Sequence, residues 1–227
     1  RQNILTRLFT AEYSLWFDLV LTGLQSINGP IPLGGTSNHF KTSYLKKIEG
    51  WDPFNVTEDC DLGIRIYREG YKTAVLDSTT WEEANSQLGN WIRQRSRWIK
   101  GYIQTYIVHM RNADRLITKN NPLGLLYFQS IIGGKILSYI VNPLMWILTI
   151  TYFIFRPTLG EQIASLFPPI VFYPAMITLV FGNFMYVYFF LVGCAKRGYW
   201  DLMKYALLAP IYWMMMSLPF FFPSGDS

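Results

Sequence analysis

The sequence predicts part of an α/β domain over residues 1–120, followed by an α-helical membrane region over residues 121–227. Charge divides the chain, because residues 1–135 contain 16 of the 20 Lys and Arg residues and 12 of the 15 Asp and Glu residues. Helical and strand-like patterns occur in the first part in an order that suits α/β domains. The second part contains long uncharged stretches, which are typical of membrane-spanning helices.

The charged part begins with a predicted amphipathic helix. Apolar side chains recur at helical spacing over residues 4–27, including Ile4, Leu8 and Leu15. A Gly- and Pro-rich segment over residues 29–35 follows, which predicts a turn or a short extended segment.

Two shorter helices are predicted next. The first covers residues 42–48 and ends at Gly50. Thr57 is suited to cap the second, which begins at Glu58, because a threonine hydroxyl can accept a hydrogen bond from the first turn. Gly70 is a plausible left-handed residue at its C-terminal end.

A strand and a long helix complete the charged part. Residues 72–77 alternate as in a strand, and residues 87–110 predict a long helix. One strand is too few for a complete sheet, so we expect these residues to belong to a larger α/β domain.

Three stretches lack any charge, at residues 136–155, 162–195 and 205–225. A membrane helix needs roughly 20 mostly apolar residues, and each stretch is long enough. Buried helices of a large soluble core are the alternative, but such helices rarely run this far without a charge. Residues 121–135 contain three glycines and Lys135, and they predict an interfacial or re-entrant segment, with Lys135 extending toward the membrane surface.

Basic residues predict the orientation of these helices. Residues 93–119 contain seven Lys and Arg residues against one acid, and residues 195–204 contain three against one. Both belong in the cytoplasm by the positive-inside tendency, which requires two crossings between them and an outer loop near residues 158–161. The third stretch then crosses again.

The long helix carries a Q-x-x-R-W motif formed by Gln94, Arg97 and Trp98. These side chains share one helical face, because residues three and four apart are neighbours. An amide and a guanidinium can bind a phosphate, and an indole can stack on a sugar ring. The alternative is a basic amphipathic helix at the membrane surface. His109, beyond the motif, is expected on the surface of the helix.

A T-E-D motif, Thr57-Glu58-Asp59, begins the preceding helix. Carboxylates at a helix start can aim a base into a cleft, although they also suit the helix dipole alone. Asp59 and Asp61 form a D-x-D, but residues two apart diverge on a helix, so we do not expect them to grip one metal ion.

The order of the two motifs resembles the second half of the catalytic domain of processive family-2 glycosyltransferases, the cellulose-synthase-like membrane group. Residues 32–105 carry the close resemblance, which includes the Gly34-Gly35-Thr36-Ser37 loop before T-E-D. The resemblance implies a partial GT-A-like nucleotide-sugar transferase domain. It also implies an inverting transfer of a sugar from a nucleotide donor, expected to be UDP, to a growing polysaccharide or glycan.

The resemblance assigns roles to residues of this chain. Asp59 would be the catalytic base that takes a proton from the acceptor hydroxyl. The residues implied to bind the acceptor are Trp98, Gly35, Thr36 and Ser37. Those implied to bind the nucleotide diphosphate are Gln94 and Arg97, with Thr57 and Glu58 in support.

The resemblance further implies Mg²⁺ or Mn²⁺ bridging the phosphates of the donor. In such proteins the metal-binding D-x-D lies upstream, so no metal ligand is assigned in this chain. The implied partners are a UDP-sugar, a glycan acceptor and the lipid membrane, with no nucleic acid. An integral protein of the inner or plasma membrane with a cytoplasmic catalytic part is expected.

Two other classes compete with this interpretation. A non-catalytic membrane protein could use the basic helix to bind anionic lipid or a partner, which leaves the ordered motifs unexplained. A transporter would need facing polar groups within its spans, and few are present. The enzyme interpretation requires Asp59, Thr36 and Trp98 in one cleft, whereas lipid binding requires only an exposed helix.

Overall fold

The computed structural model describes residues 2–118, 121–165 and 167–221. Over these residues the chain consists of helices joined by irregular segments. In chain order the α-helices are α1 Ile4–Leu15, α2 Thr22–Ser26, α3 Thr42–Lys47, α4 Glu58–Arg68, α5 Leu88–Met110, α6 Gly124–Phe128, α7 Gly134–Leu159, α8 Glu161–Ser165, α9 Pro169–Lys196, α10 Met203–Ala206 and α11 Ala209–Phe221.

The N-terminal helix covers the predicted range. Asn3 and Thr6 form a capping box, in which each side chain accepts a hydrogen bond from the backbone N–H of the other. After α1 the helix continues as a π-helical segment, Trp16–Leu21, and then as α2. The buried face of α1 contributes to the main hydrophobic core.

Helix α4 begins at Glu58 as predicted, and Gly70 beyond its end has a positive φ of 78°. The predicted side-chain cap is wrong, because the Thr57 side chain makes no capping hydrogen bond. Its hydroxyl faces α5 instead: a Cβ built on Gly101 would lie 2.3 Å from Thr57 Oγ1. Only a glycine permits this approach of α5 to the T-E-D motif.

Further contacts tie the chain before α4 to α5. Asn55 donates from Nδ2 to Thr105 Oγ1 at 3.0 Å, and the Asn55 side chain also accepts from the Thr57 N–H. Gln104 donates to the Phe54 carbonyl at 2.8 Å. The two helices that carry the motifs are therefore fixed to each other directly.

The glycine-rich segment packs on the other side of α4. A Cβ built on Gly63 would lie 2.3 Å from the Ile31 carbonyl oxygen, so the segment and α4 touch through their backbones. This contact brings Gly35, a few residues further on, beside the start of α4.

Residues 72–77 do not form a strand in the structure. Within residues 2–118, 121–165 and 167–221, the β-pairing consists of one isolated bridge between Thr118 and Asn121. A strand requires a paired neighbour, and none of these residues supplies one to residues 72–77. The Val75 N–H donates to Gln25 Oε1 instead. The α/β class therefore stays a prediction.

Two helical stretches are long and apolar enough to cross a membrane, Gly124–Leu159 and Phe172–Lys196. Only 11% and 6% of their most apolar windows are buried within the protein, whereas a core helix of a soluble protein is mostly buried. The segment predicted as interfacial runs without interruption into α7, through α6 and the π-helical Gln129–Gly133. Where the third crossing was predicted, α11 spans 13 residues, and residues 222–227 lie outside the described part.

Helices α7 and α9, which are joined through α8, form a helical hairpin. Both of its ends contact the charged part of the chain. Near the start of α7, Lys135 Nζ lies over the rings of Trp16 and Tyr102, at 4.7 and 4.4 Å from their centroids. This lysine points into the protein, so the prediction that it extends to the membrane surface is wrong. After α9, Arg197 pairs with Asp18 at 2.5 Å.

The main hydrophobic core joins the charged part to the apolar helices that follow it. It combines buried side chains from α1, α5, α7, α9, α10, α11 and the segment just before α10. They are Leu8, Phe9, Ala11, Leu15, Trp91, Ile99, Tyr139, Phe190, Cys194, Leu202, Ala206, Ala209, Tyr212 and Met216.

Candidate active site

A cleft opens beside the first turn of α4. The residues that line it are Gly35, Ser37, Asn38, Phe40, Trp51, Glu58 and Asp59. Its volume is about 490 Å³, within the usual range of small-molecule sites. A Cβ built on Gly35 would lie 3.3 Å from Asp59 Oδ2, so the glycine leaves the carboxylate room on this side.

Asp59 is half-buried at one wall of this cleft. Burial raises the pKa of its carboxyl group above the ordinary value, and the neighbouring charge of Glu58 raises it further. The Cys60 N–H donates to Asp59 Oδ1 at 2.7 Å and acts in the opposite direction. A carboxylate whose proton affinity is increased in this way is better suited to accept a proton.

The predicted acceptor loop lies next to Asp59, although its hydroxyls already have partners. Thr36 donates from Oγ1 to Glu82 at 2.5 Å, and Ser37 Oγ is hydrogen-bonded to Thr80 Oγ1 at 2.6 Å. These bonds hold the loop to the segment before α5. Ser37 lines the cleft, whereas Thr36 does not.

The Q-x-x-R-W residues lie on α5 with different exposures. Arg97 is exposed, while Gln94 and Trp98 are half-buried, and the buried Gln94 Oε1 has no protein partner. The Arg95 guanidinium lies 4.6 Å from the centroid of the Trp98 ring. Trp98 is not among the residues that line the Asp59 cleft. Asp59, Thr36 and Trp98 were predicted to share one cleft, but of these three only Asp59 lines it. Gly35 and Ser37 of the predicted acceptor loop line the cleft with it.

Tyr13 of α1 is half-buried, and its ring stacks on Phe9 with centroids 4.4 Å apart. Burial raises the pKa of its hydroxyl above the ordinary value, and the charge of Arg95 acts in the opposite direction.

Sequence reasoning missed a buried ion pair at the centre of the core. Arg95, only 2% exposed, donates to both carboxylate oxygens of Glu12, at 2.7 and 2.5 Å. The Tyr212 hydroxyl donates to the same carboxylate at 2.7 Å. A signal was present, because Trp91 and Ile99 lie four residues either side of Arg95 and mark its face of α5 as buried.

The prediction that His109 lies on the helix surface is wrong. The residue is 1% exposed, and its Nε2 lies 2.8 Å from Asp61 Oδ1. Burial alone would raise the pKa of Asp61, but its hydrogen bonds with His109 and Arg65 lower it below the ordinary value. The second carboxylate of the D-x-D therefore points away from the cleft and is occupied by structural partners.

The cleft offers few ligands for the expected divalent metal. Among the residues that the structure describes, no group of three His, Cys, Asp or Glu side chains could hold a metal ion. The carboxylates at the cleft, Glu58 and Asp59, offer no third ligand of this kind. The described residues therefore do not fit a metal centre.

Comparison with known proteins identifies the family. The family model described as glycosyl transferase family group 2 matches residues 1–222. The chain is 32% identical over 95 residues to a probable glycosyltransferase, YdaM, of Bacillus subtilis (strain 168), which covers 41% of this chain and 23% of that protein.

Two polymer-related proteins are also similar. A probable glucomannan 4-beta-mannosyltransferase 3 of Oryza sativa subsp. japonica is 23% identical over 181 residues, 78% of this chain and 32% of that protein. A poly-beta-1,6-N-acetyl-D-glucosamine synthase of Staphylococcus aureus (strain COL) is 25% identical over 135 residues, 59% of this chain and 32% of that protein.

The chain spans about a quarter to a third of the length of these relatives. No solved structure matches it. The family model nevertheless covers almost the whole chain, from residue 1 to residue 222. The predicted enzyme class, glycosyltransferase, is thereby confirmed, and the chain belongs to glycosyl transferase family group 2.

Proposed function

We propose that this chain is the acceptor-side and membrane part of an inverting glycosyltransferase that extends a polysaccharide or glycan at the cytoplasmic face of a membrane. One observation carries the proposal: the half-buried Asp59 carboxylate, with its raised pKa, faces a cleft beside Gly35. The same helix start is locked to α5, which presents Gln94, Arg97 and Trp98.

Asp59 acts as the general base in the proposed step. The acceptor hydroxyl oxygen forms a bond to the anomeric carbon of the donor, and its proton passes to the Asp59 carboxylate. The bond from the anomeric carbon to the diphosphate oxygen breaks, and its electron pair leaves with the nucleoside diphosphate. Attack opposite the leaving group inverts the configuration at that carbon.

The α5 motif supports the leaving group in this proposal. The exposed Arg97 guanidinium and the Gln94 amide hold the diphosphate and offset the charge that develops on it. Trp98 forms an apolar surface beside them, where a sugar ring can stack.

The substrates are proposed from chemistry and from the relatives together. The mannosyltransferase and the poly-N-acetylglucosamine synthase are named for polymers of pyranose sugars, which favours a growing glycan as acceptor. A UDP-sugar is the proposed donor. The hairpin of α7 and α9, whose apolar side chains are mostly exposed, is proposed to lie in the inner or plasma membrane.

One observation favours the second candidate, binding of anionic lipid by α5. Arg93, Arg97 and Lys100 are all exposed at helical spacing, which forms a basic stripe. Lipid binding predicts that the thermal stability of the protein in nanodiscs depends on the content of anionic lipid. Each of the variants Arg93→Gln, Arg97→Gln and Lys100→Gln should then weaken this dependence. The transferase interpretation predicts that Arg97→Gln alone impairs turnover.

The proposed function is tested by turnover of the full-length protein in membranes. Release of nucleoside diphosphate from a panel of UDP-sugars with Mg²⁺ should occur with one donor. Asp59→Asn should reduce this rate by about 10²- to 10⁴-fold, the usual contribution of a general base. Asp114→Asn, which changes an exposed aspartate, serves as the matched control. Turnover by Asp59→Asn equal to the control would refute the base assignment.

A further inference from the structure

The Asp59 cleft is lined by two aromatic rings, those of Trp51 and Phe40. Trp51 lines the cleft together with Glu58 and Asp59 and is 46% exposed. Its ring meets the ring of Phe40 edge-on, with centroids 5.6 Å apart and planes at 87°. Phe40 also lines the cleft, so the two rings form one apolar wall.

The loop that carries Trp51 is anchored to the T-E-D helix. Arg65 of α4 donates to the carbonyls of Ile48 and Gly50, at 2.7 and 2.6 Å. The same guanidinium pairs with Asp61 at 2.7 Å. Trp51 directly follows Gly50, so its backbone is held at a fixed position relative to Asp59.

The polarity of the cleft selects the kind of ligand it can take. Glu58, Asp59, Ser37 and Asn38 provide hydrogen-bonding groups, whereas Trp51 and its neighbour provide an apolar face. A pyranose ring has the same division, with hydroxyls at its rim and C–H groups on its faces. Ligand sites commonly combine aromatic walls with a few such polar groups.

A diphosphate is a poor match for this cleft. Among the residues that the structure describes, two carboxylates line it and no Lys or Arg side chain does. Like charges repel, so the donor diphosphate is favoured elsewhere, near the exposed guanidinium of Arg97. The group that approaches Asp59 through this cleft is then the acceptor.

We propose that Trp51, held edge-on against Phe40, stacks on the terminal sugar ring of the acceptor and presents its hydroxyl to Asp59. This inference rests on the proposed function and names the ring that binds the acceptor beside the base. Trp98 contributes elsewhere, because its ring lies against Arg95 and outside the cleft.

The test measures the KM for the acceptor in full-length protein in membranes, with the donor saturating. Trp51→Ala should raise the acceptor KM roughly three- to tenfold, the scale of an aromatic stacking contact, and leave the donor KM unchanged. Trp51→Phe should retain most of the affinity because it keeps a ring. Trp51→Leu should lose this affinity, although leucine keeps much of the apolar volume. A difference between the Phe and Leu variants cannot come from loss of the fold, because both keep an apolar side chain at this position.

Trp81→Ala is the matched control, because Trp81 is 85% exposed and does not line the cleft. It should leave both KM values unchanged. Equal acceptor KM values for Trp51→Leu and Trp51→Phe, or an unchanged acceptor KM in Trp51→Ala, would overturn the proposal.

Failure of the proposed function has a separate signature. An Asp59→Asn variant that turns over normally would refute the base, whatever Trp51 does. If Asp59→Asn loses activity as expected but Trp51→Ala leaves the acceptor KM unchanged, only the role of Trp51 is refuted.

Discussion

Glu58 and Asp59 are adjacent carboxylates at the start of α4, and their proximity sets the proton affinity of the proposed base. Burial is the main cause of the raised Asp59 pKa, and the Glu58 charge adds to it. The base must be ionised to act, so activity should fall as the pH drops through this raised pKa. Glu58→Gln removes a like charge, lowers the Asp59 pKa and should shift the acid limb of the pH–rate profile to lower pH.

The pH–rate profile of kcat/KM provides the measurement. Glu69→Gln is the control, because Glu69 is exposed just beyond the other end of the same helix. A shift of the acid limb to higher pH in Glu58→Gln would contradict the assignment of that limb to Asp59.

At the scale of elements, the packing of α4 on α5 depends on one missing side chain. A methyl group at Gly101 would meet Thr57 Oγ1 at 2.3 Å and Cγ2 at 2.4 Å. We expect Gly101→Ala to lower the free energy of unfolding by about 1–3 kcal/mol and to reduce turnover, because the helices must separate. Thermal unfolding in detergent and turnover in membranes provide the readouts.

Gly89 offers a matched substitution on the same helix. A Cβ at Gly89 would have no heavy atom within 4 Å, so Gly89→Ala should be neutral or stabilise the protein by up to about 1 kcal/mol. Combining Gly101→Ala with Thr57→Ala should cost less than the sum of the single changes. Additive costs would show that the clash with Oγ1 and Cγ2 of Thr57 is not the cause.

The buried pair of Arg95 and Glu12 makes a second prediction for the packing of elements. Arg95→Met leaves the Glu12 charge buried without its partner and should destabilise the protein by about 3–5 kcal/mol. Arg95→Met combined with Glu12→Leu should recover much of this loss, as judged by thermal unfolding. Arg93→Met, at an exposed position on α5, should change stability by no more than about 0.5 kcal/mol.

The sequence predicted the positions of the helices more accurately than the contacts between them, because the signals for a helix are local. Helices α4 and α5 begin within a residue of the predicted starts, because glycine boundaries and apolar periodicity act within a few turns. The Glu12–Arg95 pair joins residues 83 positions apart, and periodicity indicates a buried face without naming its partner. The cleft around Asp59 was predicted from motif order, whereas Trp51 was missed because its position depends on the Arg65 contacts with the loop.

For the whole molecule, the hairpin of α7 and α9 predicts the membrane orientation. Both of its ends contact the charged part, through Lys135 and Arg197, so the turn at Gly160 should lie on the opposite side. A Thr158→Cys variant should react with a membrane-impermeant maleimide on intact cells. Asn112→Cys should react only after permeabilisation.

The two cysteines of this sequence should contribute little to the labelling. Cys60 and Cys194 are both buried, at 2% and 0% exposure, and the unsubstituted protein serves as the background. Labelling of both introduced cysteines from the same side would contradict the two-crossing arrangement.

The shared core affects whether residues 1–120 can be prepared as a soluble fragment. Side chains from α1 and α5 are covered by α9 and α11, and the Tyr212 hydroxyl supplies one of the bonds to Glu12. Truncation at residue 120 would strip this covering and leave Phe9, Trp91 and a charged pair facing solvent. Helices α9 and α11 therefore complete the hydrophobic core beneath α1 and α5, and a fragment intended for purification should retain them.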